Sequence, residues 1–389
     1  MMRKTVLKGN IVLPERLLQQ GCVVLEGEKI SGIFEQKDRF QEEGVEFIDY
    51  GTGYISPGFV DLHLHGALGK DVMDSQKESL LMIAEHQANK GVTGFLGATI
   101  SAPLDSVLET IRMIKNARGD PLPSEILGVY IEGLFVSAKK KGAHSASFLK
   151  GMTEKDCQRL ADSLNGLNAV LSLAPEVEKN MRFIPILKTQ GFVVAIGHTD
   201  ATYEQAVESF EKGVTHATHL YNAMRGFDHR EPGVVGAVLD ADDVTAELIA
   251  DGVHVHPSAL RLAVARKGPE KICLVTDSMM ATGVGDGVYP WGKEEVEVRG
   301  NRVTVRGKGI LAGSVLTLNV AIKNMIDWTG VSINQAINMA TINPARVLGM
   351  EKEIGSIRTG KLANLVVLDQ DFRVVDTVLR GKSILEKGS

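Results

Sequence analysis

The chain has 389 residues, with 43 basic and 48 acidic side chains and a formal net charge of −5. That length exceeds one small domain and suits a barrel of about 250 residues with an accessory part. With a pI near 6.1, the charge balance gives no electrostatic reason to expect nucleic acid or an anionic membrane as a partner, although a local pocket for a small anion needs no basic protein.

Three cysteines, Cys22, Cys157 and Cys273, stand far apart with no Cys-x-x-Cys spacing. This sparse, odd set points to reduced thiols and a cytoplasmic setting. The first nine residues include Arg3 and Lys4 but no apolar stretch or cleavage pattern, so they do not read as a signal peptide. No run approaches the roughly 18 apolar residues of a membrane span.

In chain order, residues 5–8, 22–25 and 29–34 are apolar or alternating, and Glu26-Gly27-Glu28 makes a hairpin turn between the last two. Residues 362–368 and 377–385 are also strand-like, with a turn at Arg380-Gly381-Lys382. The spacing predicts a small β domain assembled from both termini, residues 1–53 and 355–389. From residue 54 to 354 the rhythm becomes strand, helix, strand, helix, as in a parallel sheet. Candidate strands cover 55–63, 91–97, 126–131, 169–174, 192–196, 216–220, 245–253 and 272–276. Amphipathic stretches separate most of them, such as 78–89 with Leu80, Ile83, Ala84 and Ala88 on one face. Eight such units predict an α/β fold, a (β/α)8 TIM-like barrel. The segment 289–306 breaks the alternation: 296–298 and 303–305 flank Gly300-Asn301 as an inserted hairpin. Ser314 is a candidate cap for the helix that follows, to about Trp328.

In a barrel, residues at the C-terminal ends of strands converge on one face. Asp61-Leu-His63-Leu-His65 closes the first strand, and a spacing of two points both imidazoles the same way, where they can share a divalent metal. Alone, the pair reads equally well as ordinary strand-end histidines. Glu132 ends the apolar run 126–131, His198 ends 193–197, and His219 lies near the end of the next strand. His216 competes with His219; an offset of three places them on opposite faces, and His219, nearer the C-terminal end, is the expected ligand. Asp277 follows five apolar or β-branched residues and reads as a general acid/base beside the metal. Strand ends carrying His, Glu, His, His and Asp in barrel order predict a metal-dependent hydrolase.

Together these motifs resemble the N-acetylglucosamine-6-phosphate deacetylase family of the amidohydrolase superfamily. The resemblance runs through Pro57-Gly-Phe-Val-Asp-Leu-His-Leu-His65, Ile131-Glu-Gly133, Lys140-Lys-Gly-Ala-His144 and Gly197-His-Thr199. It continues through Thr218-His-Leu-Tyr-Asn-Ala-Met224, Arg230-Glu-Pro-Gly233, Ala250-Asp-Gly-Val-His254, Thr276-Asp277 and Leu311-Ala-Gly-Ser314. It implies hydrolysis of N-acetylglucosamine 6-phosphate to glucosamine 6-phosphate and acetate. Glu132, His198 and His219 would hold a divalent metal with one open position, zinc or iron suiting the imidazoles. Asp277 would carry the proton, and His144 would polarise the acetyl carbonyl. Without the resemblance, His144 reads as a loop histidine beside the solvated lysines 139–141. Arg230 and His254 would grip the phosphate, and Asn222 and Ala223 would contact the sugar. The resemblance also implies a homodimer in which a neighbouring subunit helps complete the site.

Two departures stand out. Leu134 occupies a position that is commonly proline in the family, and the chain carries the His63/His65 pair that some members lack. The pair leaves one or two metals per chain open, with two ions bridged by Glu132 the favoured expectation. The galactosamine isomer remains the nearest alternative substrate. A cyclic-amide hydrolase is disfavoured because the strand end that would supply a modified lysine carries Glu132. A non-catalytic barrel that only binds is the remaining alternative. His86, His229 and His256 are expected to take no chemical part.

Overall fold

The computed structural model describes residues 4–35, 45–291 and 294–384. Strands β1 (Lys4–Val12), β2 (Leu17–Glu26), β3 (Lys29–Phe34) and β4 (Glu46–Pro57) open the chain, with the expected tight turn between β2 and β3. β4 runs past residue 53 and ends one residue before the first barrel strand, β5 (Phe59–Leu64). The single expected strand at 55–63 is thus divided between two sheets. The break is Gly58, where a Cβ would lie 2.3 Å from the Thr93 side chain, so only glycine lets the chain pass.

After a small hairpin, β6 (Gly66–Ala67) and β7 (Lys70–Asp71), and helix α1 (Lys77–Asn89), the alternation proceeds as the sequence pattern predicts. The barrel strands are β8 (Val92–Ala98), β9 (Glu125–Ile131), β10 (Asn168–Leu173), β11 (Phe192–Ile196), β12 (His216–Ala217), β13 (Thr245–Leu248) and β14 (Ile272–Leu274). Helices α2 (Leu104–Ala117), α3 (Glu154–Leu164), α4 (Asn180–Thr189), α5 (Tyr203–Lys212), α6 (Gly233–Asp240) and α7 (Pro257–Lys267) lie between them. Every residue of β5 and β8 is buried, as expected for parallel strands covered on both faces.

The eight strands pair in parallel in the order β14-β13-β12-β11-β10-β9-β8-β5. Closure comes just beyond the strands, through a parallel bridge between Leu64 and Ser278. The amide of Asp277 donates to the carbonyl of His63 at 2.8 Å, and that of His65 to Ser278 at 2.7 Å. The seam therefore brings the end of the first strand against the end of the last.

The expected hairpin insertion is a three-stranded sheet, β15 (Gly287–Trp291), β16 (Glu294–Arg299) and β17 (Arg302–Val305), with its own apolar cluster around Met279, Val296 and Val303. Helix α8 (Leu318–Thr329) begins with Thr317, not Ser314, at the cap position. The Ser314 hydroxyl instead donates to the Thr276 carbonyl at 2.5 Å and ties the loop to the barrel seam. Helices α9 (Ile333–Met339) and α10 (Ile342–Val347) lead to β18 (Leu365–Leu368), β19 (Val374–Leu379) and β20 (Lys382–Ser383). These last strands complete one sheet with the first four, in the order β20-β19-β18-β4-β1-β2-β3, so the accessory sheet draws on both ends of the chain. The end of the expected strand at 377–385 lies outside the described residues. No helix among them is long and apolar enough to cross a membrane.

Candidate active site

Glu132 leaves the end of β9 and sits buried at the centre of the barrel mouth. Its Oε1 lies 3.1 Å from His219 Nε2 and 3.2 Å from His198 Nε2, and those two nitrogens are 3.1 Å apart. Its Oε2 faces the other way, 3.3 Å from His144 Nε2, 3.6 Å from His63 Nε2 and 3.7 Å from His65 Nε2. Asp277 closes the ring, with Oδ1 3.2 Å from His65 Nε2 and 3.8 Å from His63 Nε2.

Outer partners decide which ring nitrogens carry hydrogen. His63 Nδ1 donates to Glu247 Oε2 at 3.1 Å, and His198 Nδ1 donates to the Lys140 carbonyl at 2.8 Å. Each therefore keeps Nε2 facing inward, where it offers a lone pair whenever the ring is neutral. Among the described residues, the buried His63 Nε2 has no partner within hydrogen-bond distance. Lone-pair nitrogens converging on two carboxylates form a donor set for a divalent cation with a taste for imidazole. His144 is arranged oppositely. Its Nδ1 accepts from the Ser101 amide at 3.3 Å, so Nε2 bears the hydrogen and acts as a donor toward the cavity.

Burial pushes the Glu132 carboxyl up, but the charges of His63 and His198 and hydrogen bonds from His144 and His198 outweigh it and hold the group well below the usual carboxylate range. Asp277 is also held low: burial opposes ionisation, and the His65 hydrogen bond with the charges of His63, His65 and His219 overcomes it. Burial, reinforced by the charge on His198, brings His144 down to about 4 against the pull of Glu132, so its ring is neutral near pH 7.

The backbone at the mouth is unusual. His198, His219, Ala223 and Asp277 all have positive φ, at 45°, 28°, 49° and 49°. Side-chain-bearing residues rarely adopt this region, and its clustering at one rim marks a site that the surrounding fold over-determines. Two glycines make room for it. Gly133 (φ 93°) would place a Cβ 2.4 Å from the Ser101 amide, and Gly197 would place one 2.5 Å from Ser172 Oγ. Glu132 and His198 are thereby fixed by the neighbours that crowd these glycines.

The sequence-predicted residues are distributed as follows. His65, Glu132, His144, His198, His219, Asn222, Ala223, His254 and Asp277 line one cavity of about 370 Å³ at the mouth, with His63 buried just behind. His254 is oriented by Asp251, whose Oδ2 lies 2.7 Å from its Nδ1. Arg230 stands apart, exposed on a loop and outside the cavity lining. His216 lies deeper in the barrel, with Nε2 3.0 Å from Glu247 Oε1. Strand alternation is not what separates it from His219, because β12 ends at Ala217 and the left-handed turn at His219 aims that ring. Lys139 and Lys140, read as a solvated run, line the cavity, and Trp291 of the inserted sheet and Ile310 just after it form part of its wall. His86 packs in α1, His229 is exposed and His256 caps α7.

Sequence reasoning missed Glu247 and Asp61. Both are fully buried carboxylates. Asp61 accepts from Thr276 Oγ1 at 2.6 Å across the barrel seam, and Glu247 joins His63, His216 and the His219 amide. A lone acid within the apolar run 245–249 was the available signal for Glu247, of the same kind that marked Asp277.

A parallel barrel with an imidazole- and carboxylate-lined mouth is the architecture of the metal-dependent hydrolases. The chain belongs to the amidohydrolase family, whose model matches residues 187–384. It is 36% identical over 375 residues to N-acetylglucosamine-6-phosphate deacetylase of Bacillus subtilis (strain 168), covering 95% of this chain and 94% of the relative. It is 38% identical over 330 residues to N-acetylgalactosamine-6-phosphate deacetylase of Escherichia coli O157:H7, covering 84% and 87%. Among solved structures, N-acetylglucosamine-6-phosphate deacetylase from Pasteurella multocida superposes with a TM-score of 0.93 at 29% identity, over 98% of this chain and 100% of that one. A variant of the Mycobacterium smegmatis deacetylase in complex with N-acetyl-D-glucosamine-6-phosphate also gives 0.93 at 29% identity, over 99% and 100%.

Proposed function

We propose that the chain hydrolyses the amide of N-acetylglucosamine 6-phosphate, releasing acetate and glucosamine 6-phosphate. The observation that carries this reading is the convergence of Glu132, His198 and His219 within 3.1–3.2 Å of one another, with Asp277 and His144 on the same cavity. A divalent zinc or iron held by Glu132, His198 and His219, with His63 and His65 available for a second ion, would supply Lewis acidity to the acyl oxygen and lower the pKa of water.

The chain's own groups do the rest. Asp277, ionised and open to the cavity, accepts the proton of the attacking water and returns it to the departing amine nitrogen. His144 donates its Nε2 hydrogen to the acetyl oxygen as negative charge builds there; because the ring is neutral, it adds no positive charge to repel a cation beside Glu132. His254, its Nδ1 engaged by Asp251, presents Nε2 to the phosphate, while Asn222 and Ala223 border the sugar. Arg230 joins the phosphate from a second copy of the chain, which explains an exposed position in the single protomer. Three buried cysteines, far apart in sequence, and a phosphorylated substrate suit the cytoplasm.

A second reading, the galactosamine isomer, is favoured by the 38% identity to the E. coli O157:H7 relative. Acetate release should be measured on both phosphorylated isomers and their unphosphorylated forms, with metal content determined on the same preparations. Highest kcat/KM on N-acetylglucosamine 6-phosphate is expected; preference for the galactosamine isomer would transfer the assignment, and turnover of neither would remove it.

A further inference from the structure

Glu247 is a fully buried carboxylate in the middle of β13 that touches three parts of the centre at once. Its Oε2 accepts from His63 Nδ1 at 3.1 Å and from the backbone amide of His219 at 3.0 Å, while Oε1 faces His216 Nε2 at 3.0 Å. His63 belongs to the first barrel strand and His219 to the loop after β12; their rings stack with centroids 5.7 Å apart and planes 26° from parallel, and both face Glu132. The His63 ring also stacks on Tyr130, with centroids 4.2 Å apart and planes 18° from parallel. That stack restrains the ring plane but leaves open which nitrogen bears hydrogen. The Glu247 contact settles it.

We propose that Glu247 is a positioning residue that holds His63 in the tautomer presenting an Nε2 lone pair and pins the His219 peptide in its left-handed turn, so that one carboxylate registers both halves of the metal centre. Without it, the His63 Nδ1 hydrogen and the His219 amide would be orphaned inside the barrel. An orphaned buried donor is costly enough to drive a ring flip or a peptide rotation, and either movement takes an Nε2 away from Glu132. Outer partners of this kind typically govern metal affinity by about 10- to 100-fold.

This inference rests on the metal centre proposed above but not on the substrate, and its test reads metal binding directly. Zn2+ affinity would be measured by competition with a chelating dye on the parent, Glu247→Gln, Glu247→Asp and Glu247→Ala, each paired with an apo-protein melting curve. Glutamine can direct its amide oxygen to His63 and His219 and its NH2 to His216, which can expose an Nε2 lone pair by changing tautomer. Its affinity should stay within about threefold of the parent, whereas Glu247→Ala should fall by about 10- to 100-fold. Aspartate, one methylene shorter, keeps the charge but not the reach, and should lose about tenfold. A His216→Ala control, which removes the contact directed away from the centre, should bind Zn2+ like the parent. If Glu247→Ala fails to fold, the aspartate and glutamine variants still decide the matter. Parent-like affinity in Glu247→Asp, or equal losses in Glu247→Gln and Glu247→Asp, would overturn the proposal. The predicted order of affinities in a protein that releases no acetate would uphold it while removing the proposed substrate.

Discussion

Asp277→Asn separates proton transfer from everything else the residue does. The backbone of Asp277 is held by its own amide on the His63 carbonyl at 2.8 Å and by its carbonyl, which accepts from the Ser314 amide at 2.7 Å; neither contact uses the side chain. Its φ of 49° is one that asparagine tolerates at least as well as aspartate, so the substitution introduces no backbone strain. Glu132, His198 and His219 keep their mutual contacts, and metal content should be preserved. What disappears is the ionised oxygen 3.2 Å from His65 Nε2, and with it the proton acceptor on the cavity wall. General acid–base catalysis by one positioned group is typically worth about 10²- to 10⁴-fold, or about 2.7–5.5 kcal/mol in the barrier. Acetate release by metal-replete Asp277→Asn should therefore show kcat lowered by about two to four orders of magnitude, with KM changed little. A kcat within tenfold of the parent at equal metal content would take Asp277 out of the mechanism.

Replacing Glu132, His198 or His219 by Ala should lower bound metal and activity together, and His63→Ala/His65→Ala should reduce two ions per chain toward one; elemental analysis without chelator checks both, and a fully active parent with one ion would exclude the binuclear centre. Arg230→Ala should raise KM for the phosphorylated sugar and hardly affect the unphosphorylated one, with a loss of about 2–5 kcal/mol if the pair is desolvated in a dimer; equal effects on both sugars would make the residue structural. Burial, helped by the nearby Lys90 charge, brings buried His86 down to about 4, below its ordinary value of 6.5. The unfolded chain then binds the extra proton first, so the stability contributed by neutral His86 is complete above pH 6.5 and is lost as pH falls toward 4, by up to about 2–3 kcal/mol. Comparing denaturation of His86→Gln with the parent across that window should show the parent losing more; identical pH slopes would contradict the burial argument.

Much of the site was legible because barrel strands announce their ends. A run of apolar residues stopping at a single Glu, His or Asp is a local pattern, and it located Glu132, His198 and Asp277 without any tertiary information. Glu247 was as visible in principle, but it lies inside its strand and not at the end, so attention to strand ends passed over it. Alternation failed at His219, because it applies only while the backbone stays extended and β12 stops two residues earlier. Arg230 carried a residue type suited to phosphate, yet residue type says nothing about reach, and the folded protomer leaves it on the surface.

The sequence by itself determined the eightfold alternation, the composite terminal sheet and which imidazoles and carboxylates stand at the strand ends, because hydrophobic periodicity and lone polar residues are properties of neighbours along the chain. Tertiary structure alone decided how those side chains meet. The Leu64–Ser278 seam sets His65 beside Asp277, crowding at Gly133 and Gly197 fixes the turns that aim Glu132 and His198, and hydrogen bonds to Glu247 and the Lys140 carbonyl and from the Ser101 amide choose which nitrogen His63, His198 and His144 turn inward. These depend on distances between segments remote in sequence, and on positive φ values that are sustained only when packing on every side leaves the backbone no alternative.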